Sequence, residues 1–352
     1  MKMEFRRFDL KLRHAWRISR SDDAGSGIYP VVFIELTDES GLRGLGESAP
    51  SWRYLENVET VQQFLRAVDP AKLSFADVPG SMRYVDGVAS GNQAAKTALN
   101  IALMDGAARR AGKPIYDLLS LGFTENRHLT SFSIGIDSPE MIRHKVAEAA
   151  EFPILKMKLG SAQDRANLAA LREVAPTKTV RVDANEAWKT REQALSEIEW
   201  LAQDRHIEFV EQPMPAATPV EDLAWLKARS PLPLFGDESY HHATDAERCA
   251  ECYHGVNVKL VKTAGISGAY DALQTARRVG LKTMIGCMIE SSVLITAAAH
   301  LAELADHLDI DGNLLISNDP FLGATCTRGV ISFREAPETL GLRVTTRSNA
   351  MD

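Results

Sequence analysis

From about residue 126 the chain repeats one pattern, a short apolar run followed by an amphipathic stretch of helical periodicity. The runs centre near Phe132, Met157, Val182, Phe209, Leu234, Val258, Met284 and Leu308, a spacing of about 25 residues that fits one strand-plus-helix unit. Kept up eight times, this recurrence predicts a closed parallel barrel. A doubly wound sheet would advertise a strand-linked G-x-G-x-x-G or a P-loop, and neither is present. The 352 residues leave room for a barrel of roughly 250 residues and a second unit of about 100.

The second unit comes first in the chain. Residues 3–12 and 29–36 cluster strand formers, with a turn at Gly41 to Gly46, and predict a small antiparallel sheet. The polar, glycine-rich stretch from Arg17 to Gly27 reads as a mobile loop. Helical periodicity follows, clearest from Ala94 to Ala111, and stops at Gly112-Lys113-Pro114. After Leu322 the chain turns irregular and then extended. We expect an α+β unit over residues 1–125, a barrel over 126–325, and a segment, 326–352, that rejoins the first unit.

Composition excludes several classes. Lys+Arg 40 against Asp+Glu 47 gives a net charge of -7 with no basic run, so nucleic acid is not an expected partner. Charge interrupts every apolar run well short of about 18 residues, and Met1 to Leu12 lacks a signal-peptide core, so no membrane association and a cytoplasmic location are expected. Cys249 and Cys252 lack a second pair, and together with Cys287 and Cys326 read as cytoplasmic thiols and not as a zinc or redox site.

The chemistry starts at Lys156-Met157-Lys158-Leu159. In an extended strand Lys156 and Lys158 share one face, and ammonium groups are rarely placed on a buried strand without partners. The alternative is a surface edge strand with solvated lysines. Reactive groups of a parallel barrel stand where its strands end. The third strand ends in Asp183-Ala184-Asn185, the fourth in Glu211-Gln212-Pro213 and the fifth in Asp237-Glu238. Each acid alone could cap a helix. Three in register repel one another unless a cation lies among them, and an all-oxygen set suits Mg2+ better than zinc.

The sixth strand supplies Lys259. Strands two and six of eight are opposed, so Lys158 and Lys259 would face each other across the mouth, a two-base geometry. Alternation from Asn257 selects Lys259 and leaves Lys262 as a solvated neighbour; simple neutralisation of the carboxylates is the competing role for the lysines. Three carboxylates, Mg2+ and one protonated lysine sum to about zero, so the other lysine can be neutral. Lowering its pKa from about 10.4 toward 7 to 8 costs roughly 4 kcal/mol, which burial, Mg2+ and the like charge of Lys156 together supply. A substrate carboxylate on the metal would lose its α-proton to one lysine as an enediolate and regain one from the other, inverting the centre. Asp309-Ile310-Asp311 on the eighth strand places two acids opposite the fourth, which implies a positive far end of the substrate, such as an α-ammonium; alone, this triplet before Gly312 would read as a turn.

Lys156-Met157-Lys158, Asp183-Ala184-Asn185, Val210-Glu211-Gln212-Pro213, Gly236-Asp237-Glu238-Ser239 and Asn257-Val258-Lys259, in this order, resemble the enolase superfamily, muconate-lactonizing-enzyme subgroup. The likeness covers nearly the whole chain, including Gly44-Leu45-Gly46-Glu47. Lysine bases with magnesium are the established chemistry of that superfamily. Gly286-Cys287-Met288, Glu290-Ser291 and Asp309-Ile310-Asp311 look like the dipeptide epimerases of the subgroup. The resemblance implies an α/β fold, a modified TIM barrel, (β/α)7β, with an α+β capping domain formed by the N-terminal segment and the C-terminal tail. It implies a Mg2+-dependent isomerase with Lys158 and Lys259 as bases, Lys156, Asn185 and Glu238 in support, and Asp183, Glu211 and Asp237 on the metal. Asp309 and Asp311 would hold the α-ammonium of a dipeptide, with Ser131 or Ser133, Cys287 and Arg20 beside the substrate. A homo-oligomer is expected.

Two departures from the pattern stand out. Ala264-Gly265 replaces the usual Gly-Gly, a change that size alone makes harmless. The covering loop, Arg20-Ser21-Asp22-Asp23, lacks the arginines expected for a glutamate side chain, and its acids favour a cationic or neutral second residue. The nearest rival is o-succinylbenzoate synthase with N-succinylamino acid racemase activity, whose substrates lack the ammonium that Asp309 and Asp311 would hold. A catalytically silent barrel that binds a ligand or serves as a scaffold is the third reading.

Overall fold

The structure, a computed structural model, describes residues 1–20 and 27–348. Ser21, Asp22 and Asp23, on which the side-chain preference above rests, lie outside the described residues, as do the others of 21–26 within the expected loop.

Strands β1 (Lys2–Lys11), β2 (Ile28–Thr37) and β3 (Arg43–Ser48) form an antiparallel sheet in that order. The central strand buries Val31, Val32, Phe33 and Ile34 in succession, because both sheet faces are covered. Helices α1 (Val58–Ala67) and α2 (Val78–Val88) precede α3 (Gln93–Arg110), which packs directly on β3; the short α4 (Ile115–Leu118) follows. A Cβ on Gly44 or Gly46 would lie 2.0 Å from the carbonyl oxygens of Ala102 and Ala98, respectively. Only glycine permits that approach of strand to helix. On the other face the Phe321 ring meets Phe33 edge-on at 4.8 Å.

Eight parallel strands follow, each except the last leading into a helix: β4 (Phe132–Ile134), α5 (Pro139–Glu148), β5 (Ile154–Lys158), α6 (Asp164–Val174), β6 (Thr179–Asp183), α7 (Arg191–Leu201), β7 (Ile207–Glu211), α8 (Val220–Lys227), β8 (Leu234–Gly236), α9 (Ala246–Cys252), β9 (Gly255–Lys259), α10 (Ile266–Arg278), β10 (Lys282–Gly286), α11 (Ser292–Ala299) and β11 (His307–Asp309). Neighbours in sequence are neighbours in the sheet, and a parallel bridge between Thr130 and Leu308 joins its two ends. This is the (β/α)7β barrel. Phe209 stacks on Phe235 at 4.2 Å, with Met284 in the same cluster, and the Arg181 guanidinium and the His307 ring pack against these aromatic rings.

The tail runs through β12 (Phe321–Leu322), β13 (Thr325–Thr327), β14 (Val330–Ser332) and β15 (Thr345–Thr346). It meets the N-terminal unit where Pro114 bridges Gly341, and just ahead of the tail Leu12 bridges Ile316 and Ser317 N–H donates to Lys11 O at 2.8 Å. Glu47 on β3 reaches the barrel, accepting from Ser291 N–H at 2.9 Å, Ser291 Oγ at 2.6 Å and Leu294 N–H at 3.0 Å. It thereby occupies the N-terminus of α11, where unpaired amides favour a carboxylate.

Candidate active site

The side chains that point into the barrel mouth do so by strand alternation, with Lys156 and Lys158 from β5 and Asn257 and Lys259 from β9. Asp183 and Glu211 end β6 and β7, and Asp237 directly follows β8. Asp183, Glu211 and Asp237 are fully buried and each offers an oxygen to a common point, those atoms lying within 4.8 Å of one another. Lys158 Nζ contacts Asp183 Oδ2 at 2.6 Å and Lys259 Nζ contacts Asp237 Oδ2 at 2.8 Å. The two lysines thus sit on the two outer carboxylates of the arc, from opposed strands. Lys156 is deeper, with Nζ 2.6 Å from Asp309, 2.7 Å from Glu211 and 3.2 Å from Asp183.

Lys262 does not face solvent. It is 1% exposed and its Nζ donates to Asp237 O at 2.5 Å, Asp237 Oδ1 at 2.7 Å and Asn257 O at 3.0 Å. Alternation fails here because the chain turns after Lys259, as the Lys262 N–H to Lys259 O bond shows, and the turn sends the side chain back under Asp237. The same turn corrects the reading of Ala264. Its φ is 59°, the left-handed region where a Cβ costs about 1–2 kcal/mol whatever its size.

The charges set the ionisation. Burial pushes Asp183 up, but Lys158 and Lys156 outweigh it and hold the carboxyl down to about 2. Asp237 is likewise held low against burial by Lys259 and Lys262. Glu211 goes the other way, raised to about 7 by burial and by the charge of Asp183. Lys156 stays protonated, since Asp309, Glu211 and Asp183 overcome the desolvation of its ammonium.

The arrangement fits a divalent cation. Among the described residues, Glu211 Oε2 and Asp237 Oδ2 are buried oxygens without a hydrogen bond of good geometry, although each lies within 2.8 Å of an ammonium nitrogen. They are pulled by charge without being saturated by donors. Their all-oxygen chemistry is that of a hard cation.

The remaining expected residues fall around this centre. Asn185 N–H donates to Asp183 Oδ1 at 2.9 Å. Glu238 is buried and meets Arg20 at 2.8 Å, so Arg20 reaches the edge of the mouth. Asp309 accepts from Ser131 Oγ at 2.7 Å and from Lys156, whereas Asp311 accepts from Ser133 N–H at 2.6 Å and Ser133 Oγ at 3.2 Å, with Cys287 Sγ 3.9 Å away. The Asp309 charge is balanced by Lys156. Among the described residues Asp311 has no ion-pair partner, and it is raised to about 7 by burial and by Asp309. Ser131 is fully buried under Asp309.

Three residues of the centre escaped the sequence reading. Asn257 Nδ2 donates to Glu211 Oε1 at 2.7 Å, a role that its shared face with Lys259 signalled. Gln212 Oε1 accepts from the backbone of Asp237 at 2.8 Å and of Ser239 at 3.2 Å, fixing the turn that carries the third carboxylate. Tyr54, from the N-terminal unit, packs edge-on against His241 at 5.2 Å and feels the charges of Asp237 and Lys259, its hydroxyl being pushed up mainly by burial. Nothing local in the sequence marks it.

Residues 140–336 match the family described as enolase C-terminal domain-like, and residues 24–120 match the mandelate racemase / muconate lactonizing enzyme N-terminal domain. The chain belongs to the mandelate racemase / muconate lactonizing enzyme family, within the enolase superfamily. An L-Ala-D/L-amino acid epimerase from Pedosphaera parvula is 63% identical over 344 residues, 98% of this chain and 99% of that protein. The L-Ala-D/L-Glu epimerase of Bacillus subtilis, solved with substrate, superimposes with a TM-score of 0.90 at 27% identity over 98% of both chains. A dipeptide epimerase from Cytophaga hutchinsonii, solved with Mg and D-Ala-L-Val, gives 0.87 at 28% identity over 99% of this chain and 96% of that one. Among the described residues of this family member, no helix is long and apolar enough to cross a membrane.

Proposed function

We propose that this chain is a dipeptide epimerase that inverts the α-carbon of the C-terminal residue by 1,1-proton transfer, with Lys158 and Lys259 as the two bases. The observation that carries the reading is their placement on opposed strands at the two ends of one carboxylate arc. An α-carbon lying between them meets an amine on each face. One lysine removes the proton, the other delivers one to the opposite face, and the roles exchange in the reverse direction.

Asp183, Glu211 and Asp237 would hold Mg2+, held in place by the second layer of Asn257, Gln212 and Lys262. When bound, the cation supplies positive charge beside the substrate carboxylate and so lowers the cost of removing the α-proton. Four carboxylates, these three and Asp309, face the ammonium groups of Lys156, Lys158, Lys259 and Lys262. A divalent cation and one substrate carboxylate leave this balanced set one positive charge in excess. Deprotonation of Lys158 or Lys259 removes it, which is how one amine becomes a base near neutral pH. Lys156 is pinned by three carboxylates and stays charged. At the far end, Asp311 is a buried acid without an ion pair among the described residues, and the α-ammonium of the dipeptide would supply its cation.

The test is α-proton exchange in D2O. Lys158→Ala and Lys259→Ala should each abolish epimerisation, and full epimerisation by either variant refutes the pairing. Replacing Asp309 and Asp311 by Asn should abolish turnover of dipeptides; unchanged turnover removes the argument for the ammonium site.

A further inference from the structure

Glu186, just beyond the Asp183-Ala184-Asn185 run, takes no part in the proton chemistry, yet it is held in an unfavourable conformation. Its φ is 68° and that of Asn185 is 44°. Left-handed backbone at a glutamate costs about 1–2 kcal/mol and persists only where surrounding contacts over-determine it. Here the contacts come from three separate segments. Glu186 Oε2 accepts from Arg20 Nη1 at 3.0 Å and from Arg53 Nε at 2.9 Å. Oε1 accepts from Arg53 Nη2 at 2.8 Å and from Ala216 N–H at 2.8 Å. The residue is only 6% exposed. A nearly buried carboxylate that takes the two-pronged face of one arginine and the end of another is a specific junction.

The junction spans the two units. Arg53 belongs to the short turn after β3 that also carries Tyr54, and Arg20 follows β1, while Glu186 and Ala216 lie after β6 and β7 of the barrel. Arg20 continues the chain of contacts inward, to Glu238 Oε1 at 2.8 Å and Asn185 O at 3.0 Å. Ser19 Oγ donates to the same Asn185 O at 2.7 Å. Both guanidinium groups are thus engaged by carboxylates of the barrel mouth.

We propose that Glu186 is a positioning residue that latches the capping unit to the barrel mouth, holding Arg20 and the Tyr54 turn in place for substrate capture. This rests on the site being the dipeptide epimerase site described above. Because it acts through Arg20 and Arg53 and touches no reacting atom, its loss changes how well the site takes up substrate and leaves proton transfer between the lysines intact. It carries over to KM and not to kcat.

The experiment combines two readouts on Glu186→Gln and, as a variant remote from the barrel interior, Arg53→Gln. Amide hydrogen exchange of residues 51–56 should quicken at least about 10-fold in each variant, which is about 1.4 kcal/mol of lost local protection. KM for an L,L-dipeptide should rise by a comparable factor, with kcat changed by less than about 3-fold. The double variant should show little beyond either single one, since both remove the same junction. Exchange within about 2-fold of the parent in both single variants overturns the latch. Faster exchange with unchanged KM overturns its role in capture, as does a fall in kcat at unchanged KM. If the parent itself turns over no dipeptide, the proposed function fails, while the exchange comparison still decides whether the latch exists.

Discussion

Replacing Lys262 by Met tests the inner support of the acidic arc. The ammonium spends all three protons inside the protein, on Asp237 O, Asp237 Oδ1 and Asn257 O, and methionine fills the same space with no donor. Breaking a buried ion pair costs about 3–5 kcal/mol when the surviving charge has no other partner. Asp237 keeps Lys259 at 2.8 Å, which softens that loss, but Asn257 O loses a donor and Asp237 O is left with Tyr240 N–H at 3.1 Å, at about 1–3 kcal/mol between them. A net loss of about 3–5 kcal/mol follows. The unfolding entropy is about 2.1 cal/mol/K per residue, so the 352 residues give about 0.7 kcal/mol/K and the melting temperature should fall by about 4–7 °C. Scanning calorimetry on metal-free protein reads this directly. Added Mg2+ should narrow the gap, since a cation replaces part of the missing charge. A metal-free variant that melts within about 1 °C of the parent would return Lys262 to the solvent-facing role that alternation assigns it.

Other perturbations have defined outcomes. Mg2+ at 100 times its dissociation constant should stabilise the parent by about 2.7 kcal/mol; Asp183→Asn should lose most of that gain, and an undiminished shift would take Asp183 out of the metal site. Ala264→Gly should raise stability by about 0.5–1 kcal/mol in urea unfolding, because relief of left-handed strain exceeds the added backbone entropy; a less stable variant sinks this account. Glu290 is raised to about 8 by burial and by Glu47. An acid whose folded pKa lies above its unfolded value of about 4.5 contributes stability fully below pH 4.5 and loses it as pH rises to about 8, up to roughly 5 kcal/mol. Glu290→Gln keeps an acceptor for Met288 N–H, now at 2.9 Å, and should flatten that loss, being more stable than the parent at pH 9; parallel stability curves would refute it.

The barrel was legible because its information is local. Each strand centre read from the sequence falls inside an observed strand, from Phe132 in β4 to Leu308 in β11, since one apolar run and its helix make one unit of the ring. The acids at strand ends were legible for the same reason, strand end and mouth being the same place in this topology. Lys262 was misread where extended backbone gives way to a turn, beyond which alternation says nothing. Ala264 was judged by volume when its φ of 59° is what matters. Glu186 and Tyr54 were invisible because their partners are far off in sequence, Arg53 lying 133 residues from Glu186. The contacts between the two units belong to tertiary structure alone.

The carboxylate of Glu47 has a bearing on how the molecule comes to be assembled. It is made 244 residues before Ser291, and at roughly 5–20 residues per second some tens of seconds pass on the ribosome before the two can meet. The last helix of the ring therefore starts on an acceptor that was synthesised long beforehand, and the early sheet serves as a template carried within the same polypeptide. Cutting the chain between the two units would make completion of the ring a second-order process, with a rate that rises with the concentration of the added N-terminal piece.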